Sequence, residues 1–260
     1  MDVANAARGR MRTADALRTL SSATGSQRGL ITTAQASRLG IDRTTLTRLT
    51  ASDGLVRIRH GVYALPGSES DLHQDVRGAW LSTDPGRFAD ERVDDPDSPA
   101  VSHTSAAALH GIGELIPSRH SLTAPTRKQT RQPDIRYRQA PLTDSDVTVV
   151  DGISVTTVPR TIADLAADHT DVEHLAATVR DAAGTSQADL EEIAVALEPY
   201  TSAYGHKTGA DLVAALLTIA GPPSAALQTI RYAPATLIPQ MGLDEATTRR
   251  LTAAVHGMGA

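Results

Sequence analysis

Apolar residues at Met11, Ala14, Leu17 and Leu20 recur every three positions, which predicts an amphipathic helix over Met11–Thr24. Gly25 and Gly29 then interrupt the pattern. A second helix is expected from a cap at Thr32 or Thr33 to Leu39, because a hydroxyl there satisfies the open amides of the first turn. Gly40 suits the left-handed residue of a tight turn. Asp42 is the expected cap of a third helix, Arg43 to about Ser52, with Gly54 just past its end. Ala36, Gly40, Leu46 and Leu49 then have the spacing of a helix-turn-helix. The small residue lets the helices cross closely, the glycine makes the corner, and the two leucines seat the second helix. After Gly54 the period changes to two. Val56, Ile58, Tyr63 and Leu65 alternate with Arg57 and Arg59 around a His60–Gly61 turn, the pattern of a hairpin. Helix, helix-turn-helix and hairpin together predict a winged helix.

Pro66–Asp71 leaves the wing as a polar turn, and Leu72–Leu81 reads as a short helix holding the only tryptophan, Trp80. Asp84–Pro99 has six acids and three prolines and is expected to be an exposed loop or insertion. Ser102 can cap a helix that turns Ala106, Leu109 and His110 inward and ends near Gly111. Strand-like pieces follow at Ser121–Ala124, Ile135–Gln139, Val147–Val150 and Ile153–Thr157, the last two joined by an Asp151–Gly152 turn. Pro159 then opens a helix with Ile162 and Leu165 inward and an Arg160–Asp164 pair four residues apart. From Val172 onward the pattern is helical: DVEHLAATVRDAAG, SQADLEEIAVALEP, TGADLVAALLTIAG and DEATTRRLTAAVHG. The fold class read from these elements is α+β. A winged helix (1–67) and a linker with its acidic loop (68–99) precede a mixed α/β domain with a helical C-terminal part (100–260).

Charge changes this picture at one end. The chain of 260 residues carries a net charge of −5. Residues 1–65 hold ten arginines and no lysine against Asp2, Asp15, Asp42 and Asp53, a net +6, so the remainder carries −11. A basic N-terminal segment on an acidic body points to nucleic acid at that end, the plainer reading being a solvated basic face. On a helical wheel Leu46 and Leu49 lie with Asp42, whereas Thr44, Thr47, Arg48 and Ala51 lie opposite, with Arg43 and Thr45 at the flanks. Short hydroxyls and guanidinium groups on that outward face can bond base edges and phosphates. The wing is expected to present Arg57, Arg59 and His60 away from the core. The expected DNA-binding set is therefore Arg43, Thr44, Thr45, Thr47, Arg48, Arg57, Arg59 and His60, the other reading being a winged helix used for protein contacts. A candidate second contact surface, for a partner protein or nucleic acid, lies at Arg127, Lys128, Arg131, Arg136 and Arg138. Arg136 and Arg138 alternate with Ile135 and Tyr137 and would share a strand face, which is also how charge protects an exposed sheet edge.

Composition narrows the chemistry. Cysteine is absent, which excludes disulfide scaffolds, thiol catalysis and cysteine-ligated metals. No apolar run approaches the roughly 20 residues of a membrane span, and the N-terminal stretch lacks the apolar region of a secretory signal, so a cytoplasmic protein is expected. Asp90, Asp94, Asp95 and Asp97 lack the glycine and terminal glutamate of a calcium loop. His103 and His110 are seven apart, two turns along one helix face, too far to share a metal without a third ligand. There is no Walker loop, dinucleotide-binding glycine motif, H-E-x-x-H or G-x-S-x-G. The D…(D/E)-x-K nuclease pattern is excluded, because Lys128 and Lys207 follow Thr126 and Gly205 at the required spacing. No catalytic residue, metal ligand or cofactor is assigned.

The stretch GLITTAQASRLGIDRTTLTRLTASDGLVRIRHGVYALPG resembles the N-terminal domain of AbiEi-type antitoxins of type IV toxin–antitoxin systems, most distinctively in its R-x-R-H-G-V-Y-A-L-P ending. The order SHTSAAALHGIGEL…HSLTAP…VTVVDGISVTTVPRTIADLA, over about Val101–Asp168, is similar to the antitoxin C-terminal domain. The resemblance implies a winged helix that binds double-stranded operator repeats and autorepresses its operon. It also implies a C-terminal domain that counters a cognate nucleotidyltransferase-like toxin, by direct or indirect antagonism. Two other functions stand beside it: a stand-alone transcriptional regulator with a ligand- or protein-sensing C-terminal domain, and an enzyme whose C-terminal domain modifies a target.

Overall fold

The first helix, α1 (Thr13–Ala23), buries Ala16 and Leu20 and half-buries Leu17. Its inward face is rotated from the one expected, for Ala14 is exposed. A spacing of three drifts round a helix of 3.6 residues per turn, whereas the four-residue pair Ala16–Leu20 stays on one side. The structure, a computed structural model, describes residues 12–68, 72–184 and 189–221. Met11 and the expected helix DEATTRRLTAAVHG lie outside the described residues.

Strand β1 (Leu30–Thr32) leads into α2 (Thr33–Arg38), whose start is closed by a capping box. Thr32 Oγ1 accepts the Gln35 amide at 3.0 Å while Gln35 Oε1 accepts the Thr32 amide at 2.9 Å. Gly40 makes the turn at φ +79°. Helix α3 (Arg43–Ala51) starts on Asp42, whose Oδ1 accepts the Thr45 amide at 2.7 Å. Strands β2 (Val56–Arg59) and β3 (Val62–Ala64) complete the wing, in the antiparallel order β1-β3-β2. Leu20, Ile31, Ala36, Ile41, Leu46, Leu49 and Leu55 form the core of this winged helix. The expected alternation along β2 breaks. The pairing shifts between Arg57↔Tyr63 and Arg59↔Val62, a bulge that gives Arg59 the place Ile58 would have held. Val56, expected inward, is 55 % exposed.

Helix α4 (Leu72–Thr83) connects the wing to a second sheet. This sheet comprises β4 (Ala100–Val101), β5 (His120–Ala124), β6 (Ile135–Gln139), β7 (Val147–Val150) and β8 (Ile153–Thr156). Their order is β6-β5-β4-β8-β7, with β5/β6 and β4/β8 parallel and the other pairs antiparallel. Helix α5 (His103–His110) adds Ala106 and Leu109 to the core beneath it. That core joins Val76, Ala79, Trp80 and Leu81 of α4, Val101, Leu122 and Val155 of the sheet, and Leu30 and Ala64 of the winged helix. Leu30 and Ala64 thus pack across the expected boundary after residue 67, beside the winged helix's own core. The compact units are Met1–Leu109 with Pro117–Thr157, and His110–Ile116 with Val158–Ala260.

Two segments, Asp84–Pro99 and the β7–β8 turn, help bind the first unit internally. The stretch Asp84–Pro99, expected to be an exposed loop, leaves Asp90, Glu91, Asp94 and Asp97 exposed but buries Ala89, Arg92 and Ser98. Arg92 is fully buried with its guanidinium carbon 3.6 Å from the Trp80 ring centroid, donating to Trp80 O at 3.1 Å and Thr83 Oγ1 at 2.8 Å. Burial lowers this guanidinium to about 10. Gln27 Oε1 accepts the Ala89 amide at 3.1 Å, and Arg38 grips Glu91 with two bonds of 2.7 and 2.6 Å. The β7–β8 turn, Asp151–Gly152, has both φ positive and meets the Ser26–Arg28 segment. Asp151 pairs with Arg28 and Arg77 at 2.8 Å each and with His73 at 3.2 Å. Desolvation opposes its charge, but the His73 bond and the two guanidiniums outweigh that and hold its carboxyl below the usual range.

The described residues of the second unit are mainly helical. Helices α6 (Val158–Ala167), α7 (Val172–Ala183), α8 (Leu190–Leu197) and α9 (Gly209–Ala220) bury Ile162, Leu165, Leu175, Val179, Ile193, Leu197, Leu212 and Leu216. Asp171, Asp189 and Thr208 cap the last three. Arg160 Nε donates to Asp164 at 2.9 Å, the pair expected one turn apart.

Candidate nucleic-acid interface

The cap on Asp42 and the burial of Leu46 and Leu49 fix the roll of α3, which leaves Arg43, Thr44, Thr47, Arg48 and Ala51 exposed. Thr45 is a correction. It is only 3 % exposed, because it sits about 40° round the helix from Leu49 and shares its inward side. Its Oγ1 accepts from Arg48 Nη2 at 3.0 Å, so Thr45 braces the guanidinium of its exposed neighbour. Thr47 Oγ1 donates back to Arg43 O at 3.0 Å, which spends its proton within the helix and leaves lone-pair capacity outward.

At the wing, Arg57 and His60 are exposed, 3.1 Å apart between Nη2 and Nδ1. Arg59, expected beside them, turns inward. Its side chain is 9 % exposed and Nη2 donates to Gln132 Oε1 at 2.7 Å and Asp134 Oδ2 at 2.8 Å. The bulge in β2 is the cause, and no residue type in VRIRHG signals it. Asp134 also lies 4.0 Å from His120 Nε2, which is 3.1 Å from Asp75 Oδ2.

The second basic cluster divides. Arg127, Lys128 and Arg131 are exposed in the loop 125–134 between β5 and β6. Arg136 and Arg138 are on β6, an outer strand of the sheet, with Arg136 exposed and Arg138 half-buried. The acidic loop does not gather its carboxylates, since Asp95 binds Arg87 at 2.5 Å and the Asp97 amide at 2.9 Å. Among the described residues no group of three His, Cys, Asp or Glu side chains could hold a metal ion. His103 is buried and 2.9 Å from Ser102 Oγ. No helix among the described residues is long and apolar enough to cross a membrane.

Residues 18–66, from α1 to the end of the wing, match the family described as transcriptional regulator, AbiEi antitoxin. Residues 99–207 match the AbiEi antitoxin C-terminal domain. The chain belongs to the AbiEi antitoxins. It thus carries the domains of a DNA-binding antitoxin, in regulator families rather than enzyme families. In this AbiEi chain the second match begins at β4, takes in the whole five-stranded sheet and continues through α6–α8, so it draws on both compact units. Helix α4 and the acidic loop fall between the two matches. No curated protein matches the chain. Among solved structures, the RV2827C protein from Mycobacterium tuberculosis is similar at 17 % identity and a TM-score of 0.45, over 85 % of this chain and 82 % of that one.

Proposed function

We propose that this AbiEi antitoxin binds operator repeats upstream of its own operon, represses that operon, and counters a cognate nucleotidyltransferase-like toxin through its C-terminal family domain. The observation that carries the DNA reading is the outward face of α3. Arg43, Thr44, Thr47 and Arg48 are exposed there without a large apolar side chain among them. Hydroxyls and guanidiniums on a helix that enters a major groove reach base edges, and Arg57 and His60 at the wing reach the backbone. Arg48 comes pre-oriented by Thr45, so less side-chain freedom is lost when it docks.

The test uses the full chain and duplex DNA from upstream of its own gene. Arg48→Ala is expected to weaken binding by about 1–3 kcal/mol and to relax preference at one base pair. Uniform weakening on every sequence would assign Arg48 to phosphate, and no change would remove α3 from the groove. Toxicity rescue in cells expressing a neighbouring nucleotidyltransferase-like gene tests the antitoxin part. Absence of both such a gene and any rescue would favour a stand-alone regulator.

A further inference from the structure

The second sheet has two outer strands, and only one of them is guarded. β6 carries Arg136, exposed, and Arg138, half-buried, charges that discourage a further strand from adding. β7 reads VTVV, with no charge, no proline and no shift in its register against β8. Asp151 and Gly152, both at positive φ, make a two-residue turn, so the flanking pair Val150↔Ile153 exchanges both ladder bonds. By the alternation of an antiparallel ladder Thr148 also bonds towards β8, and Val147 and Val149 present amide and carbonyl to the other side. Among the described residues nothing pairs with them there.

A cavity of about 310 Å³ runs beside this strand, lined in succession by Val147, Thr148 and Val149. Leu142 adds an apolar wall. Ser98 and Ser154, 9 % and 2 % exposed, line it with hydroxyl oxygens that have no hydrogen-bond partner among the described residues. An unpaired buried hydroxyl costs stability, and a turn about χ1 offers either one to a ligand. Asp94 and Asp144 also line the cavity, are exposed, and form no ion pair among the described residues. Asp144 is held there by the short turn that Thr143 closes, its amide donating to Asp146 at 2.8 Å. Asp95 is already met by Arg87 at 2.5 Å and by the field of Lys128, so it is not free for a ligand.

We propose that the outer edge of β7 takes an extended, basic segment of a partner protein as an added strand. The segment's backbone pairs with the outward amides and carbonyls of Val147 and Val149. One of its arginines or lysines lays the aliphatic stem on Leu142 and Val149 and brings the charged end to Asp94 and Asp144. Ser98 and Ser154 accept from its remaining N–H groups. Main-chain bonds give such a complex its affinity, and the pocketed side chain sets its register. The volume lies at the lower end of ligand cavities, about 300–1,000 Å³, which suits a side chain better than a metabolite. The net −11 of the chain beyond residue 65 attracts a basic segment from a distance. None of these residues belongs to the winged helix, so the proposal is independent of the DNA reading.

The probe is a fluorescein-labelled synthetic peptide, TRVRVRT. It is compared with TEVEVET, which reverses the charge, and with TRPRPRT, which keeps the charge and cannot pair as a strand. Anisotropy with the full chain gives Kd, and solvent-exchange NMR on the isotope-labelled chain locates the site. With TRVRVRT at about ten times Kd, exchange of the Val147 and Val149 amides should slow about tenfold. The Thr148 and Val150 amides, already bonded to β8, should hold. Asp94→Asn with Asp144→Asn should weaken binding about 2- to 30-fold, the span for two exposed ion pairs. Val149→Lys, which sets a like charge on the pairing edge, should weaken it as well. The exchange measurement needs no substitution, so it stands even where a variant unfolds. No binding of TRVRVRT overturns the proposal. Equal binding of TRPRPRT, which is charge attraction alone, or of TEVEVET overturns it too, as does unchanged affinity of the folded double variant. Protection that arises on β6 or the winged helix while Val147 and Val149 stay unchanged also overturns it. Each of these results leaves the α3 reading standing.

Discussion

Gly152→Ala and Gly40→Ala place the same methyl group on nearly the same backbone conformation, φ +81° and +79°, yet the first should be far more damaging. An alanine in the left-handed region costs about 1–2 kcal/mol at either site. At Gly40 nothing lies within 4 Å of the added carbon, so that is the whole effect. At Gly152 the methyl would overlap the Ser26 carbonyl oxygen and stand 3.1 Å from its carbonyl carbon, and backbone cannot swing aside as a side chain can. Forcing an atom into such a contact adds about 1–3 kcal/mol. The turn must then back away and carry Asp151 from Arg28, Arg77 and His73, which loosens a partly buried ion cluster worth about 1 kcal/mol more. The excess over Gly40→Ala is about 2–4 kcal/mol, or a further fall in Tm of about 4–16 °C. The assay is thermal melting followed by tryptophan fluorescence. Trp80 is the only tryptophan and lies in the core shared by the winged helix and the second sheet. Equal losses of Tm in the two variants would refute the docking of this turn on the winged helix.

Two further outcomes follow from the acidic loop. Arg92→Ala removes a desolvated stack of about 2 kcal/mol and leaves a cavity costing about as much again. The urea midpoint should fall and the Trp80 emission should shift to the red, and an unchanged emission would place Arg92 away from the ring. Glu91 is held at about 2, first by the Arg38 side chain and then by the Phe88 amide, below its ordinary 4.5. A carboxyl lowered on folding contributes stability that is present above pH 4.5 and lost as pH falls towards 2. Glu91→Gln should flatten the stability profile across that window, by a small amount because the pair is exposed, and an identical profile would refute the assignment.

The sequence by itself determined what neighbours within a few residues decide. The cap at the start of α2, offered at Thr32 or Thr33 and found at Thr32, the Asp42 cap, the Gly40 corner, the Asp151–Gly152 turn and the Arg160–Asp164 pair each involve groups at most four residues apart. Their chemistry is complete before any packing occurs. The family resemblance was legible for the same reason, since its most distinctive run, the end of the wing, is contiguous. What only the tertiary structure decided is the fate of charges and of alternation where distant segments meet. Arg57 and Arg59 are equivalent in a period of two, and a bulge sends one to solvent and the other to Asp134, seventy-five residues on. Arg92 stands among acids and prolines that read as a solvated loop, yet it lies fully buried against Trp80. Thr45 is of a residue type common on surfaces, yet it is buried because Leu49 sets the roll of α3. Leu30 and Ala64, on the near side of the break expected after residue 67, also pack in a core whose other members come from α4 and the second sheet. Burial is a property of the assembled chain: a guanidinium is stable inside only where a ring, a carbonyl or a carboxylate from elsewhere arrives to meet it.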